Sequence, residues 1–188
     1  VTGVQTCALP IYPEVFDGLY SGWGFSWGDM IANTSGSLLL VGQELLYGDQ
    51  IVKLKMSYQR SAMADLYPSY LGENQLQSFF YDYNGHTYWL SVNLKSFFKA
   101  SKLPPWLNIA FGYGAEGMLS GVKDIDNQLL TNSNRYRQYY LSFDVNLENI
   151  KTNSRFLKTV LSVFNTIKVP FPTLEFSQKG CVFHLLYY

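Results

Sequence analysis

The stretch Leu141-Ser142-Phe143-Asp144-Val145-Asn146-Leu147 alternates between apolar and polar side chains without a break. Because successive side chains of a β-strand point to opposite faces, this period of two predicts a strand with one apolar and one polar face. Further strands are predicted at 51–59, 87–95, 107–114, about 171–177 and 180–188. The carboxyl-terminal two thirds of the chain are therefore expected to form a sheet with one apolar face and one face of polar or small residues.

Two segments have a helical pattern instead. The first begins after Ser26, which has capping-box spacing to Asp29, and runs through Tyr47 to a stop at Gly48-Asp49. The second, 153–167, carries one apolar stripe opposite a basic side, a pattern suited to a membrane interface. A helix packed on the sheet is the alternative interpretation of this second segment.

The predicted fold class is α+β. Amino-terminal helices are followed by an antiparallel, mostly up-and-down β-sheet or small β-barrel, with the amphipathic helix 153–167 inserted before the last hairpin. Three regions are expected: an artefactual segment 1–11, a helical region 12–48 and the sheet region 49–188. The artefact is inferred because a back-translation of 1–11 resembles a common sequencing adapter. Cys7 would then not be native, and the true chain would start upstream.

Composition narrows the functional class. The 188 residues contain 14 basic and 14 acidic side chains, so the net charge of zero argues against a nucleic-acid binder. Two cysteines are too few for a disulfide scaffold or a cysteine-rich zinc module. Aromatic residues make up 17% of the chain and charged residues only 15%, which favours a protein that meets an interface such as a membrane.

Alternation alone leaves open whether the apolar face meets lipid or a protein core. Strands of 9–12 residues, aromatic clusters at strand ends and a final segment 182–188 that resembles the last strand of outer-membrane barrels favour lipid. Six strands fall short of the eight found in the smallest bacterial barrels. Residues 66–71 and 77–82 are candidates for additional strands; otherwise the sheet is open, and the amino-terminal helices cover its apolar face.

One family resemblance concerns residues 12–47. Glu14-x-x-Asp17-Gly18, the Gly/Trp segment 22–25, Ser26-Trp-x-Asp29, Asn33 and Gly36 resemble the YfiM family of periplasmic lipoproteins, in a long version found in Bacteroidetes-type envelopes. The Ser-Asp-Asn-Gly spacing is also similar, less closely, to the VanZ-like membrane family. The resemblance implies an envelope location and implies no reaction.

The same residues are candidates for a polar site. Glu14 and Asp17 lie one helical turn apart, as do Asp29 and Asn33, so packed helices would bring three carboxylates together near Ser26. Such a cluster could bind a divalent cation or act in acid–base chemistry. In the alternative, Asp29 caps its helix, Asn33 bonds across the helix pair and Glu14 is solvated. Gly36 and Gly42 would allow another backbone to approach closely.

The remaining candidates have weaker signals. His86 is expected in an exposed turn, and Cys181 is expected to be a packing residue. Asp124 and Asp126 form a short Asp-x-Asp pair. A lipid-processing site that pairs His184 with Ser142 or Ser91 is a further hypothesis, without supporting spacing.

These patterns favour a bacterial cell-envelope protein in the outer membrane or periplasm that is structural or binding rather than catalytic. Membrane lipid or the outer-membrane interface is the expected partner, and no cofactor, metal or nucleic acid is predicted. Two alternatives stay open: a lipid- or cell-wall-acting enzyme that uses the acidic cluster, and a soluble periplasmic binding domain.

Overall fold

The computed structural model describes residues 27–98, 102–119 and 135–188. The described chain forms two compact units, which meet in sequence between Ile51 and Val52. The first unit contains the long helix α1, Trp27–Tyr47. Within the described ranges, no helix has both the length and the apolar character needed to cross a membrane.

The second unit consists of six strands joined by short helices. The strands are β1 (Val52–Tyr58), β2 (His86–Asn93), β3 (Leu107–Glu116), β4 (Tyr136–Val145), β5 (Phe171–Ser177) and β6 (Gly180–Tyr187). The helices are α2 (Ala62–Leu66), α3 (Pro68–Leu71), α4 (Gln75–Tyr81), α5 (Leu94–Phe97) and α6 (Arg155–Phe164), with 3-10 turns at Tyr83–Gly85 and Leu147–Asn149.

All six strands form one antiparallel sheet in the order of the sequence, so each strand pairs with its chain neighbours. The predicted α+β class with an up-and-down sheet is confirmed. The sheet is open, since its two edge strands, β1 and β6, do not pair with each other in the described residues. A short segment bonds to the outer edge of β1: the Met56 amide donates to Thr166, and the Lys168 amide donates to the carbonyl of Met56.

The sheet has its polar face buried and its apolar face exposed. Along β2, Thr87, Trp89, Ser91 and Asn93 are buried, whereas the intervening Tyr88 and Leu90 are 56% and 42% exposed. The same alternation holds on β3 and β4, where Asn108 and Asp144 are fully buried and Phe111 and Phe143 are about half exposed. The predicted alternation of faces is therefore correct, and the polar face is the inner one.

The outer face carries apolar side chains in rows that cross the sheet. One complete row pairs, strand by strand, Leu54, Leu90, Phe111, Leu141, Leu174 and Phe183. A second row, displaced from the first by two residues on each strand, is rich in aromatic residues: Met56, Tyr88, Tyr113, Tyr139, Phe176 and Cys181. We call the second set the aromatic row. Since a strand rises about 3.3 Å per residue, the two rows lie roughly 7 Å apart.

The two candidate segments for additional strands are not strands, so the sheet is open, which is the other alternative. Residues 66–71 and 77–82 lie mainly in α2, α3 and α4. Side chains that cap helices explain the difference, because Ser61 accepts a hydrogen bond from the Ala64 amide and Asn74 accepts one from the Gln77 amide. The helices enclose a small apolar cluster of Ala64, Leu71 and Leu119.

Helix α6 confirms the amphipathic helix predicted at 153–167, and none of its residues is buried. Phe156 is 79% exposed, and Phe164 is 55% exposed. Its polar side holds it to the protein, since Ser162 donates to Glu148 at 2.9 Å and Glu148 also pairs with Lys53. Burial opposes ionisation of Glu148, but hydrogen bonds from Lys53 and Ser162 lower its pKa.

Candidate functional site

The inner face of the sheet holds a connected polar network at the end of β4. The Nζ of Lys55 lies 2.7 Å from Asp144, and both side chains are completely buried. Ser91 donates to the same carboxylate at 2.6 Å, and Asn108 donates to the Ser91 hydroxyl at 2.8 Å. Asn93 continues the chain by donating to Asn108 at 2.9 Å. Because each buried polar group has a partner, the network is able to hold an ion pair away from water.

A second buried cation lies beside this network. Lys168, between α6 and β5, is 2% exposed, and its Nζ lies 4.5 Å from the centre of the Trp89 ring. Burial lowers the pKa of Lys168 to about 8, although the nearby Asp144 carboxylate acts in the opposite direction. Two lysines thus face a single carboxylate inside the sheet.

Aromatic rings fill the middle of the inner face. Tyr140 and Tyr187 stack with centroids 4.6 Å apart, and Trp89 lies 5.7 Å from Tyr140 and 6.0 Å from Tyr187. Gly112 makes room for them, since a Cβ there would lie 2.7 Å from the Trp89 ring. The Tyr187 hydroxyl also lies 3.0 Å from that of Thr87 on β2. The sheet must therefore curl strongly enough for β6 to reach β2 across its polar face.

An acidic group occupies the other end of the inner face. Glu175 lies 2.8 Å from Nε2 of His184 and accepts a hydrogen bond from Gln138 at 3.0 Å. These residues border a cavity of about 270 Å³ that Arg60 and Glu116 also line. A carboxylate paired with an imidazole is able to orient a general base, but catalysis would also need a nucleophile or a bound substrate.

The structure does not support the hypothesis of a serine–histidine pair. The Ser91 hydroxyl donates to Asp144, and the single proton of the Ser142 hydroxyl is shared between the carbonyls of Phe143 and Pro172, 3.0 and 3.1 Å away. His184 is bonded to Glu175 instead. No nucleophile–base–acid set is therefore assembled from these residues.

Most of the predicted acidic site lies outside the described residues. Glu14, Asp17 and Ser26 belong to the part that is not described, and for Asp29 only the helical backbone is described. Asn33 and Gly36 lie in α1, as expected. A Cβ built on Gly36 or Gly42 meets no atom of the described chain within 4 Å, so the close backbone approach expected there is not seen. The convergence of the three carboxylates stays a prediction.

Two weaker expectations are wrong, and a third lies outside the described residues. His86 is 8% exposed at the start of β2, because the rings of Tyr58 and Phe79 pack around it at 5.2 and 5.7 Å. Cys181 is exposed rather than packed. Asp124 and Asp126 lie outside the described residues. Among the described residues, no group of three or more His, Cys, Asp or Glu side chains is placed to hold a metal ion.

The alternation over 141–147 predicts Asp144 on the polar face, but it does not identify Lys55 or Lys168 as partners of that carboxylate. Lys55 alternated with apolar residues in the sequence, so its face was predictable, whereas its pairing depends on strand register. Lys168 lies outside any strand, and nothing in the local sequence indicates its burial. No family model, curated protein or solved structure matches the chain.

Proposed function

We propose that this chain is a bacterial envelope protein whose sheet faces outer-membrane lipid with its apolar rows, in a structural or binding role. The observation that carries the proposal is that the polar face of the sheet is buried and its apolar face is exposed. Asp144 is fully buried, whereas its strand neighbour Phe143 is 49% exposed. A soluble domain rarely leaves contiguous apolar surface of this extent open, and lipid-facing sheets have the same arrangement of apolar outer and polar inner residues.

The aromatic row and α6 support the same proposal. Tyrosine and tryptophan are enriched where membrane-spanning strands cross from hydrocarbon to water. The aromatic row lies at one end of the apolar band, by which we mean the exposed apolar face of the sheet. Helix α6 exposes Phe156, Leu157 and Phe164 of its apolar stripe, and Ser162 on its polar side bonds to Glu148, as expected of a helix in the membrane interface. The resemblance of residues 12–47 to the YfiM family supports the cell-envelope location in this proposal.

The alternatives have less support. An envelope enzyme that uses Glu14, Asp17 and Asp29 has no described site geometry. A soluble periplasmic binding domain would need its apolar face covered, and the outer rows are exposed in the described residues.

The experiment compares two aspartate substitutions in the full chain, expressed in a bacterium with an outer membrane. Phe143→Asp places a charge in the apolar band, and Gln178→Asp places one in the exposed β5–β6 turn as a matched control. We expect the wild type and Gln178→Asp in the carbonate-resistant membrane fraction and Phe143→Asp depleted from it at least tenfold, because a charge facing lipid is costly. Equal membrane fractions for both variants, or a soluble wild type, would contradict the proposal.

A further inference from the structure

Two connections between strands meet at one end of the sheet. Because neighbouring strands run in opposite directions, the β2–β3 connection (94–106) and the β4–β5 connection (146–170) lie at the same end. Hydrogen bonds join them, since the Asn146 amide donates to the carbonyl of Trp106 at 2.7 Å and the Asn149 side chain donates to the preceding carbonyl at 2.8 Å. The two connections, with α5 and α6, therefore form one surface, which we call the basic end.

The two ends of the sheet differ in charge. The two connections of the basic end contain one carboxylate, Glu148, and seven basic residues: Lys95, Lys99, Lys102, Lys151, Arg155, Lys158 and Lys168. The three connections at the other end contain four basic residues, Arg60, Lys123, Arg135 and Lys179, and five acidic ones: Asp65, Glu73, Asp82, Asp124 and Asp126. These counts include the residues of the connections outside the described ranges, so the excess of positive charge holds for the whole of both connections.

Most of the positive charge at the basic end is available to a partner. Lys168 is buried, and the carboxylate of Glu148 is already paired with Lys53 of β1. Five other basic residues are partly or fully exposed, and none of them forms an ion pair with a described carboxylate: Lys95, Lys102, Lys151, Arg155 and Lys158. These five charges therefore attract an anionic partner.

Exposed aromatic rings lie next to the basic residues of this surface. Phe97 lies two positions after Lys95 and is 58% exposed, and Phe156 directly follows Arg155 and is 79% exposed. Trp106, between the two connections, is 39% exposed. A soluble polyanion would pair with the charges and leave the rings in water. The surface of an anionic bilayer meets both, because its headgroups border hydrocarbon.

We propose that the basic end binds the surface of a leaflet of anionic phospholipids. Its lysine and arginine side chains pair with headgroup phosphates, while the rings of Phe97, Trp106 and Phe156 reach the upper part of the acyl chains. The opposite end of the sheet has no such excess of positive charge in its connections. The anionic leaflet therefore binds one end of the sheet in preference to the other, which gives the protein one orientation in the membrane.

This inference rests on the proposed membrane location and adds the class of lipid. The full chain, purified in a neutral detergent, is diluted into vesicles of phosphatidylcholine alone or of an equal mixture of phosphatidylcholine and phosphatidylglycerol. The partition coefficient onto each kind of vesicle is measured by flotation. We expect a value at least about tenfold higher onto the mixture at about 0.1 M salt, and a preference below about twofold at about 1 M salt, where charges are screened within about 3 Å.

The variant Lys151→Gln/Arg155→Gln/Lys158→Gln removes three of the exposed charges. We expect it to partition onto neutral vesicles like the wild type and to prefer the mixture by less than about twofold, because each basic residue near an anionic surface raises affinity roughly fivefold.

The matched control is Lys123→Gln/Arg137→Gln/Lys179→Gln, which removes the same number of positive charges at or near the opposite end. It should keep the tenfold preference, and a loss equal to that of the first variant would overturn the assignment to the basic end. Equal partition of the wild type onto both vesicles would refute the phospholipid assignment, leave an acidic protein surface as the partner of this end, and leave the membrane proposal intact. Partition onto neither, by a protein that stays soluble without detergent, would refute both.

The salt series on the wild type covers the case in which a variant fails to fold. A preference for the mixture that stays unchanged between low and high salt would show that charge does not cause it, and would overturn the inference.

Discussion

At the scale of single residues, the buried pair of Lys55 and Asp144 should dominate the stability of the sheet. Replacement Asp144→Asn leaves the Lys55 ammonium buried without its counter-charge, and we expect the free energy of unfolding to fall by about 3–5 kcal/mol. Urea unfolding in detergent micelles, followed by tryptophan fluorescence, measures this difference. The double variant Lys55→Met/Asp144→Leu should recover only part of the loss, because it removes the Lys55 charge but leaves Lys168 and the Ser91 hydroxyl without the Asp144 carboxylate.

The pair of Lys53 and Glu148 provides the control for this prediction. It lies at the protein surface, where Glu148 is 39% exposed, and Lys53→Met should change the unfolding free energy by less than about 1 kcal/mol. An Asp144→Asn variant as stable as Lys53→Met would show that the inner network does not stabilise the sheet.

Lys168 should make stability depend on pH in the alkaline range. Its folded-state pKa of about 8 lies below the ordinary 10.5, so between these values the folded chain binds fewer protons than the unfolded chain. Stability from this group must therefore rise as the pH increases from about 8 to 10.5, by up to roughly 3 kcal/mol, and stay constant below 8.

The variant Lys168→Met tests this dependence because methionine keeps a contact with Trp89 and has no charge to titrate. The difference in unfolding free energy between wild type and variant should grow in favour of the wild type above pH 8. Parallel curves from pH 7 to 10.5 would mean that Lys168 titrates normally in the folded chain.

At the scale of elements, strands were more predictable than the short helices between them. The alternation of apolar and polar residues along a strand does not depend on which strands pair with it. The stretch from Leu141 to Leu147 therefore indicates both a strand and its two faces, without knowledge of the neighbouring strands. The segment 62–81 is rich in leucine and aromatic residues, and its apolar content hid the capping signals at Ser61 and Asn74 that decide its structure. Ser61 and Asn74 are recognisable capping residues, but the leucine and aromatic content of the segment favours strands over helices.

The candidate site was less predictable than the elements, for a physical reason. The Lys55–Asp144 and Thr87–Tyr187 contacts join residues about 90 and 100 positions apart, so they depend on strand order, register and curl together. His86 illustrates the same limit, since its burial results from rings on β1 and α4 rather than from its own turn-like neighbours.

Helix α6 should enter the membrane interface with its apolar side. A tryptophan in place of Phe156, which is 79% exposed, should be quenched by brominated lipid in vesicles of the reconstituted full chain. A tryptophan in place of Lys158, on the basic side, should be quenched at least twofold less. Equal quenching at both positions would show that α6 does not lie in the interface with its apolar side toward lipid.

At the scale of the whole molecule, three features hold the curled sheet together: the Thr166–Lys168 segment on the edge of β1, the stacked rings of Tyr140 and Tyr187, and the Thr87–Tyr187 contact between β2 and β6. The polar groups of this sheet are hydrogen-bonded on its inner face, and its apolar groups already face outward. Detergent can therefore bind the apolar groups without unfolding the sheet. Such a protein should resist sodium dodecyl sulfate until it is heated.

We therefore expect the full chain to migrate faster on a gel when it is not boiled, because the folded sheet is more compact than the detergent-coated unfolded chain. Tyr187→Ala removes the ring that packs on Tyr140 and Trp89, and it should lower the temperature at which the fast band disappears. Tyr187→Phe keeps that ring and loses the hydroxyl contacts with Thr87 and Tyr140, so its transition should stay closer to that of the wild type. A single band at every temperature would mean that the inner contacts do not hold the sheet against detergent, and that lipid or a partner must do so.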